Sequence, residues 1–151
     1  MKGLLPAGGA CCVVGLLVAC NSDVPVSAST IVEPLGWRVT ITRVATHPFL
    51  ARYNLTLTVD VPPHCSASSQ LFPDTGGVSR RNLYRATSRR LYVVGQFDMR
   101  VFDTQTCAIM LMEFRSVEPS LVYLGVFDVG QENQWTFLAA TVRPERLFEQ
   151  L

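Results

Sequence analysis

Side chains that could do chemistry are few in this chain and widely spaced. The histidines are His47 and His64, and neither belongs to a His-Glu-x-x-His pattern. The chain also lacks a Gly-x-Ser-x-Gly nucleophile turn and a phosphate-cradling glycine loop, so the common metallohydrolase, serine-hydrolase and nucleotide-binding arrangements are missing. Two sparser arrangements need weighing. His64 stands beside Cys65, a pair suited to thiolate catalysis, yet neighbours on an extended chain point to opposite sides and leave the imidazole badly placed. A zinc site from His47, His64, Cys65 and a carboxylate would follow no usual ligand spacing. The expectation is a non-catalytic protein without a metal or a cofactor.

Asp74-Thr75-Gly76 resembles the tripeptide that carries the catalytic aspartate in pepsin-like and retroviral-type proteases. Those enzymes share one proton between two aspartates, so a single copy would require a homodimer. Asp followed by Thr-Gly-Gly is also an ordinary turn, and we read it so. Arg80, Arg81, Arg85, Arg89 and Arg90 fall in a stretch with no acid between Asp74 and Asp98. These five are the candidate partner-binding residues, a docking face for an acidic partner or for anionic headgroups; the alternative is a solvated face paired with acids from other strands. The whole chain has no such bias. It carries 13 Lys and Arg against 12 Asp and Glu, and Lys2 is the single lysine. A balance this even excludes the basic excess expected of a nucleic-acid-binding protein.

The first twenty residues place Lys2 ahead of an uncharged apolar run that ends at Cys20. This is the layout of an export signal rather than of a folded element. Leu17-Val18-Ala19-Cys20 resembles the lipobox of bacterial lipoproteins, and Asn21 to Thr30 is polar and serine-rich like the tether that follows it in that family. The resemblance implies cleavage before Cys20, acylation of its thiol, and, from Asn21 rather than Asp after the cysteine, sorting to the outer membrane with the domain on the periplasmic side. The chain then divides into a signal peptide over 1–19, a lipidated cysteine and flexible tether over 20–35, and a single domain over 36–151. On that reading Cys11 and Cys12 leave with the signal and Cys20 is lipidated, so Cys65 and Cys107 remain as one expected disulfide in an oxidising compartment.

Strict alternation of polar and apolar residues marks the elements that must position these groups. Arg52 to Val61 alternates throughout, with Tyr53, Leu55, Leu57, Val59 and Val61 on the inward side, and Trp37 to Val44 repeats the pattern. These two form an expected hairpin, which Pro62-Pro63 ends because proline cannot donate to a ladder. Ser66 to Gly77 reads as a long loop and Val78 to Arg90 as a short helix. Leu91 to Phe102, Cys107 to Phe114, Leu121 to Val129 and Gln134 to Arg143 read as strands, and Pro144 to Leu151 as a helical turn. The fold class expected is all-β, an antiparallel β-sandwich of six to seven strands. Trp37, Trp135, Phe97, Phe127 and Phe137 are assigned to its core, and Asp98 and Arg100 share one face of a strand where they can pair.

Tyr123-Leu124-Gly125-Val126, followed after a turn by Gln134-Trp135, is similar to the penultimate hairpin of the type VI secretion lipoprotein family TssJ. Leu124 to Pro144 also resembles the end of the YscW-like pilotin family of type III secretion. Both resemblances imply a periplasmic docking or assembly component of a secretion machine or other envelope complex, attached to the membrane by its N-terminal lipid. The competing expectation is a periplasmic inhibitor or small-ligand binder that uses the Ser66 to Gly77 loop.

Overall fold

A computed structural model of the chain describes residues 24–148. The signal segment and Cys20 lie outside the described residues. The fold is an antiparallel β-sandwich, as expected, but among the described residues it has ten strands rather than six or seven. Sheet A has the order β1-β2-β3-β4, from β1 (Val26–Val32), β2 (Trp37–Ala45), β3 (Tyr53–Val61) and β4 (Cys65–Gln70). Sheet B has the order β10-β9-β5-β6-β7-β8. Its strands are β5 (Arg81–Arg85), β6 (Leu91–Val94), β7 (Met99–Asp103), β8 (Ala108–Met112), β9 (Val122–Val129) and β10 (Trp135–Ala139).

The hairpin read from alternation is β2 and β3, in register Val39↔Val59 and Ile41↔Leu57. Val39, Ile41, Leu55, Leu57 and Val59 are fully buried against sheet B, and each such side chain contributes about 1.5–3 kcal/mol by leaving water. The other face of sheet A carries hydroxyls in cross-strand pairs: Ser27 with Thr42 at 2.7 Å, Ser29 with Thr40 at 2.8 Å, and Thr58 with Ser68 at 3.3 Å. This ladder corrects two sequence readings. Residues 26–32 are strand β1 and not tether, and residues 65–70 are strand β4 and not loop. Their serines mimic linker composition because they line the wet face of a sheet, while Ala28 and Val32 of β1 turn inward.

Sheet B is covered on both faces, and this explains the other corrections. Leu83, Leu91, Val93, Phe102 and Phe127 pack into the main core against sheet A. Tyr84, Tyr92, Met99 and Val101 point the other way into a second cluster, roofed by Phe114, Leu121 and Tyr123. Arg81 to Tyr84 are therefore buried without interruption, so the expected helix over Val78 to Arg90 is β5 followed by a turn. Strands buried on both sides show no alternation to read. For the same reason Leu91 to Phe102 is two strands, folded at the Gly95–Asp98 turn by a Gly95 N–H to Asp98 carbonyl bond of 2.8 Å. Phe97, placed in the core from sequence, stands at the tip of that turn and is 59 % exposed. Trp37, Phe127 and Trp135 are buried as expected. A bulge between Leu83 and Tyr84 opposes Gly125, whose φ of 147° and contact with the Leu138 carbonyl leave no room for a Cβ.

The C-terminal segment is an extended strap rather than a helical turn. It leaves β10 through a turn at 140–143 and runs back over the outer face of sheet B. Tyr84 Oη donates to Glu145 at 2.9 Å, Asn82 Nδ2 donates to the Arg146 carbonyl at 3.0 Å, and Arg80 grips the same carbonyl at 2.6 Å.

Candidate functional site

The strand registers sort the loops into two ends. Val26 pairs with Arg43, Ala45 with Tyr53, and Tyr53 with Asp74, so the chain enters the sandwich beside the β2–β3 loop (46–52) and the β4–β5 loop (71–80). Val94 pairs with both Asn82 and Met99, which brings the β6–β7 turn (95–98) to this entry end. The far end gathers the 33–36, 62–64, 86–90 and 104–107 turns.

At the entry end a buried arginine organises the loops. Arg81 donates to the carbonyls of Phe72 (2.8 Å), Arg80 (3.0 Å), Val78 (3.2 Å) and Ser79 (3.2 Å). Its guanidinium lies 3.6 Å from Asp98 Oδ1, and the two side chains are 4 % and 1 % exposed. Burial lowers the Arg81 pKa, against the opposing pull of Asp98 and Asp74. Asp98 Oδ2 accepts from the Phe72 N–H at 2.8 Å and faces Arg100 Nε at 3.6 Å, so the expected Asp98–Arg100 pairing is present. Asp74 is also turned inward. Its Oδ1 accepts from the N–H groups of Gly76 (2.9 Å) and Gly77 (2.7 Å), and its Oδ2 takes the Ser79 hydroxyl. Every oxygen of the Asp-Thr-Gly carboxylate is thus occupied by its own loop, which is the turn reading rather than a protease aspartate.

The far end is held by different bonds. Cys65 and Cys107 form the expected disulfide, with a Cα–Cα distance of 5.8 Å, and it fastens the β4 edge of sheet A to the turn before β8 of sheet B. Cys65 is therefore neither nucleophile nor metal ligand. Arg90 straddles Asp103, with Nε at 3.0 Å and Nη2 at 2.9 Å from Oδ2, and reaches Glu118 at 3.3 Å. Glu118 also accepts from Ser88 Oγ and Tyr92 Oη, both at 2.9 Å. The Ser88 hydroxyl, joined by Tyr92 and Arg90, holds the Glu118 carboxyl below its ordinary pKa, and the Gln105 N–H with Arg90 does the same for Asp103.

The five arginines expected to form one docking face are divided by this geometry. Arg81 is buried under Asp98 and cannot meet a partner, and Arg80 is bent over the strap, with Phe148 4.0 Å beneath it. Only Arg85, Arg89 and Arg90 reach the far end. Arg85 donates to the Glu33 carbonyl at 3.0 Å, Arg89 lies exposed above Trp37 at 5.8 Å, and Arg38 is exposed on the same strand as Trp37. The extended run of β5 and the turn after it carry the charges from one end to the other, a separation invisible when the segment is read as a helix.

His47 and His64 lie on opposite ends of β3, so they cannot share a metal ion. His47 Nδ1 accepts from the Phe49 and Leu50 N–H groups at 3.1 Å and shapes the β2–β3 loop. Among the described residues no three His, Cys, Asp or Glu side chains converge, and no helix is long and apolar enough to cross a membrane. The Ser66 to Gly77 loop invoked for an inhibitor or ligand site is β4 up to Gln70 followed by the first part of the β4–β5 loop, whose Asp74 turn closes on itself. Sequence reading missed Phe49, Leu50 and Phe72 at the entry end. Apolar residues beside Pro48 and Pro73, where turns are usually polar, were the available signal. No family model, curated protein or solved structure matches the chain.

Proposed function

We propose that the protein is a non-catalytic docking lipoprotein of the bacterial envelope, held at the periplasmic face of the outer membrane through an acylated Cys20 and recruiting an acidic protein partner. The lipobox of residues 17–20 supports the anchor, and the polarity of the sandwich carries the docking role. The chain enters at one end, while Arg38, Arg85 and Arg89 present positive charge at the other. An anchor near the entry end leaves those arginines facing away from the bilayer, where a partner from the periplasm or from an envelope complex can reach them. Tethering then works by raising the local concentration of that partner at the membrane. Secretion-machine components are the partners that the TssJ-like and pilotin-like hairpin favours.

Two measurements test this. Radioactive palmitate should label the wild-type chain and not Cys20→Ala, and equal labelling of both would sink the anchor. Cross-linking in intact cells should join the wild type to specific envelope proteins, and Arg85→Glu with Arg89→Glu should lose those adducts. Adducts of undiminished yield would remove the far end as the docking face.

A further inference from the structure

The entry end has a surface unlike the rest of the molecule. Phe49 is 89 % exposed, Leu50 48 %, Phe72 42 % and Phe97 59 %. Every exposed phenylalanine among the described residues stands on one of three loops at this end. The loops adjoin, because one small cleft is lined by Pro73, Gly77, Val78 and Phe97 and another by Ala51, Tyr53, Asp74 and Val78. The two acids in these three loops, Asp74 and Asp98, are 7 % and 2 % exposed and are engaged inside, so neither is shown outward beside the aromatic tips, and the neighbouring Asp128 is paired with Arg143. One cation of these loops does remain outward. Arg52 is exposed next to the Phe49 loop, whereas Arg100, beside the Phe72 ring at 5.6 Å, is turned in toward Asp98. The 130–134 turn also reaches this end, since Asn133 lines the second cleft, and it carries the exposed Glu132.

Single exposed apolar side chains are common on soluble proteins, but several on adjoining loops, with their acids withdrawn, mark a contact surface. The occupant follows from where the chain enters. Val24 and Val26 are exposed at this same end, and Cys20 precedes Val24 by four residues. Fully extended, four residues reach at most about 14 Å. An acyl group on Cys20 would therefore hold these loop tips close to the bilayer surface. We infer that the entry end is a second membrane contact, in which Phe49, Leu50, Phe72 and Phe97 dip into the headgroup and acyl boundary while Arg52 meets lipid phosphates. The inference rests on the lipid-anchored reading. It adds orientation, since an acyl tether alone would leave the sandwich free to tumble, whereas seated loop tips direct the far-end arginines away from the membrane.

The test uses full-length acylated protein in vesicles of phosphatidylethanolamine and phosphatidylglycerol. An environment-sensitive dye is attached to Phe97→Cys or, as a far-end control, to Thr87→Cys, with the native disulfide intact. The dye at 97 should emit to the blue of its value in detergent-free buffer and be quenched by brominated lipid, and the dye at 87 should do neither. Phe49→Ser with Leu50→Ser should reduce the quenching at 97 several-fold while the protein still floats with the vesicles. A protein that floats while both dyes read water, or quenching at 97 unchanged by the serine pair, overturns this inference and leaves the anchor standing. A protein that carries no acyl group and does not float overturns the anchored reading and this inference with it.

Discussion

The two ends of the sandwich solve the same problem with opposite polarity. At the entry end the organising charges are inside: Arg81, Asp98 and Asp74 tie loop carbonyls and N–H groups together, and phenylalanine and leucine stand exposed on the loop tips. At the far end the turns are fastened by the Cys65–Cys107 bond and by partly exposed ion pairs around Arg90, and arginine is what faces water. A buried charge must be matched by several partners or its desolvation is uncompensated, whereas exposed pairs contribute little and can be rearranged. The entry end is therefore the rigid, specific construction. The far end relies on a covalent cross-link and leaves its charges available.

The largest loss of stability is expected from removing Arg81. Arg81→Leu leaves Asp98 buried and four carbonyls short of a donor, and should cost about 3–5 kcal/mol in urea denaturation. A loss below about 1 kcal/mol would show that the entry end does not depend on its buried charge. At the far end, Cys65→Ser with Cys107→Ser frees a loop spanning a sequence separation of 42 and should cost about 2–4 kcal/mol. Reducing agent should lower the wild-type melting temperature and leave that of the double variant unmoved. Gly95→Ala comes next, since a Cβ there would stand 2.7 Å from Arg81 Nε and 2.8 Å from Asp98 Oδ1. Overpacking of this kind costs about 1–3 kcal/mol, and a neutral Gly95→Ala would mean that the Arg81 network can shift.

Acid should weaken the far end. Asp103 and Glu118 have folded pKa values below their reference values of 3.8 and 4.5, so their contribution is complete above that range and is lost as pH falls through the lowered values. Urea midpoints measured from pH 6 to pH 3 should decline less in Asp103→Asn with Glu118→Gln than in wild type, and parallel declines would remove these carboxyls as the cause. The smallest effect concerns the tips themselves. Phe49→Ser should change stability by no more than about 0.5 kcal/mol, because the ring has so little packing to lose. A larger loss would mean that Phe49 is part of the fold rather than of a contact surface.

Legibility from sequence followed burial geometry. β2 and β3 were readable because one face is dry and the other wet, so Val39 and Leu57 alternate with Thr40 and Thr58. β5 was not, because Arg81, Asn82, Leu83 and Tyr84 are all buried between two covering layers and no period survives. β1 and β4 failed for the opposite reason. Their wet faces are built of serine, which also makes linkers, and only the cross-strand hydroxyl pairs distinguish the two. Within the candidate site the disulfide followed from counting thiols, while the five arginines are divided between the two ends, since linear spacing does not say which end of a strand a side chain occupies.

Sequence alone determined the class of fold, the β2–β3 hairpin, the pairing of Cys65 with Cys107 and the motif that motivates a lipid anchor. Each depends on local period, composition or count, which a linear chain displays directly. Tertiary structure decided that Arg81 is an internal tie while Arg89 is a surface charge, that Asp74 and Asp98 turn inward, and that Phe49, Phe72 and Phe97 meet at the end where the chain enters. Those facts depend on the registers that fold distant loops to one side, and on the cost of burying a charge without partners, which no stretch of sequence can express by itself.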